Sequence, residues 1–498
     1  MANQSTTALA SRKKEKNIFR RFLGKIGDYF RSIGQALVHG DVWTKLSFLI
    51  SGLGYFVHGH EQEFVRDEIV RGEDGHPDVI TVKFRRYVNQ WLRGLFYLAL
   101  EAAAVLVLVF VGIPNFAKLG LNDIVLDKDD SFLILLQSVV TILVLVLFLF
   151  LHLGAVRGVY QSELAVKEGR PIKSALQDLH DLIDDRFYVT VLALPIIGIL
   201  AFTLIPTIMM ILIAFTNYGA SGIGSSNFSW VGGANWGSLF GLGGGAEFAE
   251  VFGKQLLWTL LWAFFATFTC FFGGLLLALL LNSRRTRFTK VWRTGFVITI
   301  AVPQFVSLML IRYFLGDYGI VNNLLVETWH VIDKPIGFLS DPLITKFTII
   351  LVNCWVGFPY LMLMISGILL NIPADLYESA SIDGASRPRM FWSITMPYIL
   401  QVCTPYLISS FVSNINNFNV IYLLTMDAEE HEMAYQAVNA KQSDLLITWL
   451  YNMISAGGAT PRYYMASIIG IIMFTISTIF TLIAFNLSQR TAQKGRKA

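Results

Sequence analysis

Residues 131–152 read SFLILLQSVVTILVLVLFLFLH, 22 consecutive positions without Asp, Glu, Lys or Arg. At about 1.5 Å per residue a helix of that length spans about 33 Å, close to the thickness of the hydrocarbon core of a bilayer. A helix at the surface of a soluble protein needs a polar face, and this stretch has none. Nor is it isolated. Over half of the 498 residues are hydrophobic and only 15% are charged, a balance that makes the bilayer the first solvent to consider. Working outward, comparable apolar runs fall at about 94–114, 188–216, 256–281, 294–315, 346–370, 397–425 and 463–487, so eight spans are expected.

The basic residues orient these spans. Arg12, Lys13, Lys14, Lys16, Arg20, Arg21, Lys25 and Arg31 precede any long apolar run, which places the N-terminus in the cytoplasm. The apolar stretch 46–58 is too short to cross and reads as an interfacial or packed segment. Residues 59–93 hold Arg66, Arg71, Lys83, Arg85, Arg86 and Arg93 and belong on the same side. An even number of spans returns the C-terminus to the cytoplasm with Arg490, Lys494, Arg496 and Lys497. The inner loop 282–293, NSRRTRFTKVWR, has five basic residues and no acidic one. The outer loops carry the acids, Asp123, Asp127, Asp129 and Asp130 in the first and Asp427, Glu429, Glu430 and Glu432 in the last. The outer loop 217–254 is rich in Gly, Ser, Asn and Trp, which favours turns over a packed domain. No short apolar run ends in a small-residue cleavage site, so the first span is expected to direct insertion.

Several chemistries lack residues to carry them. A net charge of +4 gives no reason to expect a nucleic-acid partner. Cys270, Cys354 and Cys403 lie inside apolar segments and read as small buried hydrophobes, not as a disulfide framework or a metal cluster. The nearest string to a phosphate-binding loop, Gly253-Lys254-Gln255, lacks the hydroxyl that holds magnesium, and there is no HExxH, GxSxG or Cys/His ligand spacing. No catalytic residue, metal site or bound cofactor is therefore expected. Ionisable groups inside spans number three, Glu101, His152 and Arg312, each near a span end where snorkelling to the interface is the expected behaviour. The six spans from 188 onward contain no Asp or Glu, which argues against coupling to a proton or sodium gradient.

The most informative loop joins the sixth and seventh spans, IPADLYESASIDGASRPRMFWSITMPYIL over 372–400. Pro373 suits a helix start, and Asp375 and Glu378 suit the positive end of the helix dipole. Gly384 permits a bend that a β-carbon resists. Between them Leu376, Ala380 and Ile382 alternate with Asp375, Glu378 and Asp383, as in a short helix that meets a protein surface while one side stays wet.

This loop resembles the signature of the transmembrane subunits of binding-protein-dependent ABC importers: EAA, three residues, Gly, nine residues, then I-x-L-P. Here it reads Glu378-Ser379-Ala380, Gly384 and Ile394-Thr395-Met396-Pro397, with the spacing kept and with Ser379 and Met396 as departures. Glu101-Ala102-Ala103 also spells EAA, but Val107 stands where Gly is needed. The resemblance implies a coupling helix that inserts into a cleft on an ATP-hydrolysing subunit. Glu378 would pair with a basic residue there, Ala380 and Asp383 would share the contact, and Gly384 would form the turn. It also implies the company such a subunit keeps: a second homologous permease subunit, a homodimeric cytoplasmic ATPase that holds ATP and magnesium, and an extracellular sugar-binding protein.

Over most of 190–490 the sequence is similar, more narrowly, to the larger subunit of maltose- and maltodextrin-type permeases, through NCWVGFPYLMLM (353–364), SSFVSNINNFNVIYLLT (409–425) and SDLLITWLYNM (443–453). That likeness implies a small-molecule sugar site at Ser307, Asn353, Gly357, Tyr360, Ser410, Asn414 and Asn417. The residue types agree, since Asn414 and Asn417 are three apart, as on one helix face, and Tyr360 offers a ring for a sugar's C–H face. Ser413 stands where the maltose subunit has an aromatic stacking residue. The short loop 217–254 resembles the Gram-positive form, whose binding protein is a lipoprotein.

The expected fold is thus an all-α polytopic membrane protein of the type I importer permease class with both termini cytoplasmic. Residues 1–93 form a cytoplasmic region with an interfacial segment, 94–187 two accessory spans and a loop, 188–490 a six-span core with the coupling loop at 373–397, and 491–498 a basic tail. The expected function is ATP-driven import of a sugar, of the maltodextrin kind or a related oligosaccharide. Its rivals are an ion-coupled sugar carrier and a membrane enzyme acting on lipid-linked sugars.

Overall fold

A computed structural model describes residue 24 and residues 27–71, 77–119, 130–219, 228–242, 246–283, 285–428, 432–455 and 461–495. The basic residues at 12–25, the acids Asp123, Asp127, Asp129, Glu429 and Glu430, and Arg496 and Lys497 lie outside the described residues. The chain divides into two compact units, Met1–Met209 and Met210–Ala498.

In the first unit, helices α1 (Val42–Leu46) and α2 (Ser51–Val57) lead into a hairpin of β1 (Gly59–Arg71) and β2 (Pro77–Asn89). Two apolar helices follow, α3 (Trp91–Leu119) and α4 (Ser131–Lys167). The Asp130 side chain caps α4 by accepting from the Leu133 backbone N–H at 3.1 Å. The short segment 46–58 is packed, because α2 buries Tyr55, whose hydroxyl donates to the Ala155 carbonyl of α4 at 3.0 Å. The hairpin is the one sheet in an otherwise helical fold among the described residues. Gly59 pairs with Asn89 and Arg71 with Pro77, and the rings of Phe64 and Phe84 stack at 5.8 Å.

Glu101 and His152 do not snorkel. His152 Nδ1 stands 3.3 Å from Glu101 Oε1, its Nε2 lies 2.8 Å from the Phe48 carbonyl, and the Ser51 hydroxyl donates to Glu101 at 2.8 Å. The two groups stay inside and face each other because Phe48 and Ser51, just before and at the start of α2, bring polar partners to them, while Glu101 Oε2 and His152 Nδ1 are buried without a hydrogen bond of their own.

Helix α5 (Ala175–Asp181) precedes α6 (Phe187–Ile213), and the second unit builds on α7 (Ala234–Leu239) and the 37-residue α8 (Ala246–Asn282). Then come α9 (Thr289–Ala301), α10 (Gln304–Leu315) and α11 (Pro342–Leu370), the last capped by Asp341 with Pro342 at its first position. Helices α12 (Ala374–Ile382), α13 (Met396–Ile415), α14 (Phe418–Thr425), α15 (Leu446–Ser455) and α16 (Tyr463–Gly495) complete the chain. One part of this unit's core forms where α8 and α11 run side by side, burying Trp262, Phe271, Met362 and Ile365, and another gathers around α15 and α16 with Trp449, Met453, Met465 and Ile469. Gly274 lets the backbones approach, since a β-carbon there would lie 2.5 Å from Leu361 Cβ.

Among the described residues six helices are long and apolar enough to cross a membrane, seven if one bent pair counts as a crossing. That pair is where the sequence reading had one continuous span at 294–315. Thr289–Ala301 and Gln304–Thr328 meet at 96°, because Pro303 cannot donate to the helix ladder and Val302 before it is extended. The expected span 397–425 is interrupted too, at Asn416 and Asn417, between α13 and α14.

Candidate functional site

The break at Val302–Pro303 opens a cavity of about 310 Å³ between the end of α9, the start of α10 and one face of α11. Ser307 and Tyr360 line it, together with Gln304, Trp355 and Val356. Tyr360 is 50% exposed and its ring leans on Tyr406 of α13 at 5.6 Å and 31°. Ser410 lies one turn further along α13 and reaches the Tyr406 hydroxyl. Aromatic faces flanked by an amide and hydroxyls can pack against the C–H face of a neutral polyol and bond its hydroxyls.

The other residues expected here sit elsewhere. Asn353 and Gly357 face α8: the Asn353 amide donates to Cys270 Sγ at 3.4 Å, and a β-carbon on Gly357 would meet that sulfur at 2.6 Å. Asn414 and Asn417 do not share a helix face, because α13 ends at Ile415 and Asn417 caps α14, its side chain accepting from the Val420 backbone N–H at 3.3 Å. They do bond each other. The Asn417 amide donates to Asn414 Oδ1 at 3.2 Å, the Asn414 amide donates to Thr267 Oγ1 at 3.0 Å, and Trp262 Nε1 donates to the Asn414 carbonyl at 3.1 Å. With Asn414 only 9% exposed, its amide is committed to neighbouring helices. Gln304 and Trp355 were missed as lining groups, although Pro303 inside an apolar run signals irregular backbone, which a membrane tolerates where it lines a cavity.

A second feature lies between α11 and α13. Pro373 opens α12, Asp375 sits in its first turn, and Gly384 turns the chain at φ +75°, left-handed geometry that a β-carbon resists. The Ala385 backbone N–H closes on the Ala380 carbonyl at 2.9 Å, which ends the helix. Asp383 is its C-terminal cap. None of the residues of α12 is buried, and Ile382 is 86% exposed. Two side-chain contacts cross the elbow: the Tyr377 and Thr395 hydroxyls lie 2.8 Å apart, and the Ser381 hydroxyl donates to Met390 Sδ at 3.8 Å. Glu378 projects into the open, and among the described residues no basic group stands within ion-pair distance of it.

The family described as "Binding-protein-dependent transport system inner membrane component" matches residues 271–493, a stretch that holds both helix breaks and the whole elbow. Over that stretch the chain carries this family's domain. Among relatives of this permease, the maltodextrin transport system permease protein MalC of Streptococcus pneumoniae is 28% identical over 410 residues, 80% of this chain and 92% of that protein. The maltodextrin transport system permease protein MdxF of Bacillus subtilis is 29% identical over 80% of this chain and 92% of its own length. The maltose/maltodextrin transport system permease protein MalF of Escherichia coli is 33% identical, but over 44% of this chain and 42% of its own. Among solved structures, a bacterial ABC transporter involved in the import of the acidic polysaccharide alginate aligns with TM-score 0.50 at 24% identity, covering 63% of this permease and 98% of that chain. This last likeness concerns the fold. The permease is a membrane protein whose apolar helices expose large side chains such as Leu194 and Phe202, as lipid contact requires.

Proposed function

We propose that this permease is the larger of two membrane subunits of an ATP-driven importer of oligosaccharides of the maltodextrin kind. One observation carries the reading: a helix with no buried residue, hinged on a left-handed glycine and bearing the family's coupling signature, is built to be covered by something else. Its partner is a homodimeric ATPase that holds ATP and magnesium, so this chain supplies no catalytic group. A second permease subunit and a sugar-binding lipoprotein complete the assembly, and the elbow and both termini lie on the cytoplasmic side. Glu378 pairs with a basic residue of the ATPase, with Ala380 and Asp383 beside it. The sugar contacts the cavity at the helix break through Tyr360, Ser307 and Gln304, and its 310 Å³ falls at the small end of ligand pockets, enough for one or two sugar rings.

An ion-coupled carrier would need a carboxylate at mid-membrane, and the apolar runs from 188 onward have none. The test of the coupling role is Glu378→Lys, which is expected to abolish transport and transport-stimulated ATP hydrolysis while the assembled complex can still be purified. Normal transport by that variant removes Glu378 from the mechanism.

A further inference from the structure

The first unit holds a side-chain cluster that transport does not use. Asp41, His58 and Glu163 each direct a ligand atom into one space, and these atoms all lie within 4.8 Å of one another, the one such group among the described residues. Three separate parts of the chain supply them. Asp41 caps α1, accepting from the Thr44 backbone N–H at 2.6 Å; His58 ends α2; and Glu163 lies near the end of α4. His58 Nε2 stands 3.7 Å from Asp41 Oδ1 and 3.4 Å from Thr44 Oγ1, whose hydroxyl donates to Glu163 Oε2 at 2.5 Å. The Asp41 backbone N–H also donates to the Glu163 carboxylate, at 3.1 Å. His58 and Glu163 are buried, and Asp41 is partly so.

We propose that this cluster binds one divalent transition-metal ion of the zinc class through the His58 imidazole and the Asp41 and Glu163 carboxylates, with the Thr44 hydroxyl beside it. The spacing is close to what such an ion needs: ligands at about 2.0–2.1 Å in a tetrahedron stand about 3.3 Å apart, so small side-chain rotations close the site. One imidazole nitrogen with carboxylate oxygens suits zinc or manganese better than copper(I), which prefers sulfur, or calcium, which prefers oxygen alone. Charge points the same way. Two carboxylates share one ammonium, that of Lys167, which pairs with Glu163. A dication neutralises both, and Lys167, whose side chain is 58% exposed, is free to swing into water. Bound metal would pin α1 and α2 to the end of α4, across 122 residues of sequence.

The experiment uses the assembled transporter in detergent, stripped with chelator, then titrated with zinc by calorimetry and with cobalt(II) by its d–d absorption. Wild type is expected to take up one ion more per transporter than His58→Ala. Lys167→Met, which removes the competing ammonium, is expected to tighten binding about 10-fold. Equal uptake by wild type and His58→Ala overturns the site and leaves the cluster as a polar knot, and so does an affinity that Lys167→Met leaves unchanged. Should His58→Ala fail to assemble, the comparison of wild type with Lys167→Met decides alone, since that exchange alters only an exposed side chain.

Discussion

Gly357 shows how much one residue's meaning depends on what faces it. Resemblance marks it for the sugar, yet a β-carbon there would press on Cys270 at the contact of α8 with α11. Gly357→Ala is therefore expected to cost about 1–3 kcal/mol by overpacking and to lower the melting midpoint, and adding Cys270→Ala should recover most of the loss. A double variant no better than the single one would place the strain elsewhere. Asp444 makes a different prediction. It is buried, accepts from the Lys441 backbone N–H at 2.7 Å and the Asn452 amide at 2.8 Å, and burial pushes its carboxyl up from 3.8 to about 6. A raised carboxyl favours the fold when protonated, so its contribution is full below about pH 3.8 and is lost as pH rises through about 6. Between pH 5 and 7.5, wild type should lose stability relative to Asp444→Asn; parallel melting profiles for the two would refute this.

Helices and strands were legible in proportion to their pattern. The runs at 131–152 and 346–370 announce themselves, and α4 and α11 contain them. The breaks were written in the sequence but outvoted by hydropathy: Pro303 sits within an apolar run, and Asn416 and Asn417 follow Asn414. The hairpin was missed because 59–93 was weighed by charge alone, although the β-branched run 79–82 follows the turn-prone Asp74-Gly75 pair. Among the residues expected to meet the sugar, residue type alone could not tell a cavity-lining group from a helix-to-helix bond, a distinction set by the break at 302–303. The consequence is measurable. Tyr360→Ala is expected to raise the half-saturating sugar concentration about 5–10-fold through loss of a ring contact. Asn414→Ala should instead lower thermal stability by about 1–3 kcal/mol, leaving Thr267 and Asn417 short of a partner. The reverse pattern would move the sugar to Asn414.

For the molecule as a whole, composition alone settled the solvent, and the family signature settled the class, because both survive small errors in span boundaries. What needs the complete assembly is the source of energy. On the proposed reading, proteoliposomes containing this permease with a second membrane subunit and an ATPase should accumulate sugar when ATP and binding protein are supplied, and should not do so on an imposed sodium or proton gradient. Accumulation on a gradient without ATP would assign the chain to another transport class. The bare elbow sets the mechanical scale of such a machine. At nine residues, α12 is a rod of about 14 Å, so a tilt of about 10° at one end sweeps the other through about 2.4 Å. If it couples as proposed, a helix tied through Tyr377 and Ser381 and not by a packed face would work as a crank, its small throw passed to the helices on either side.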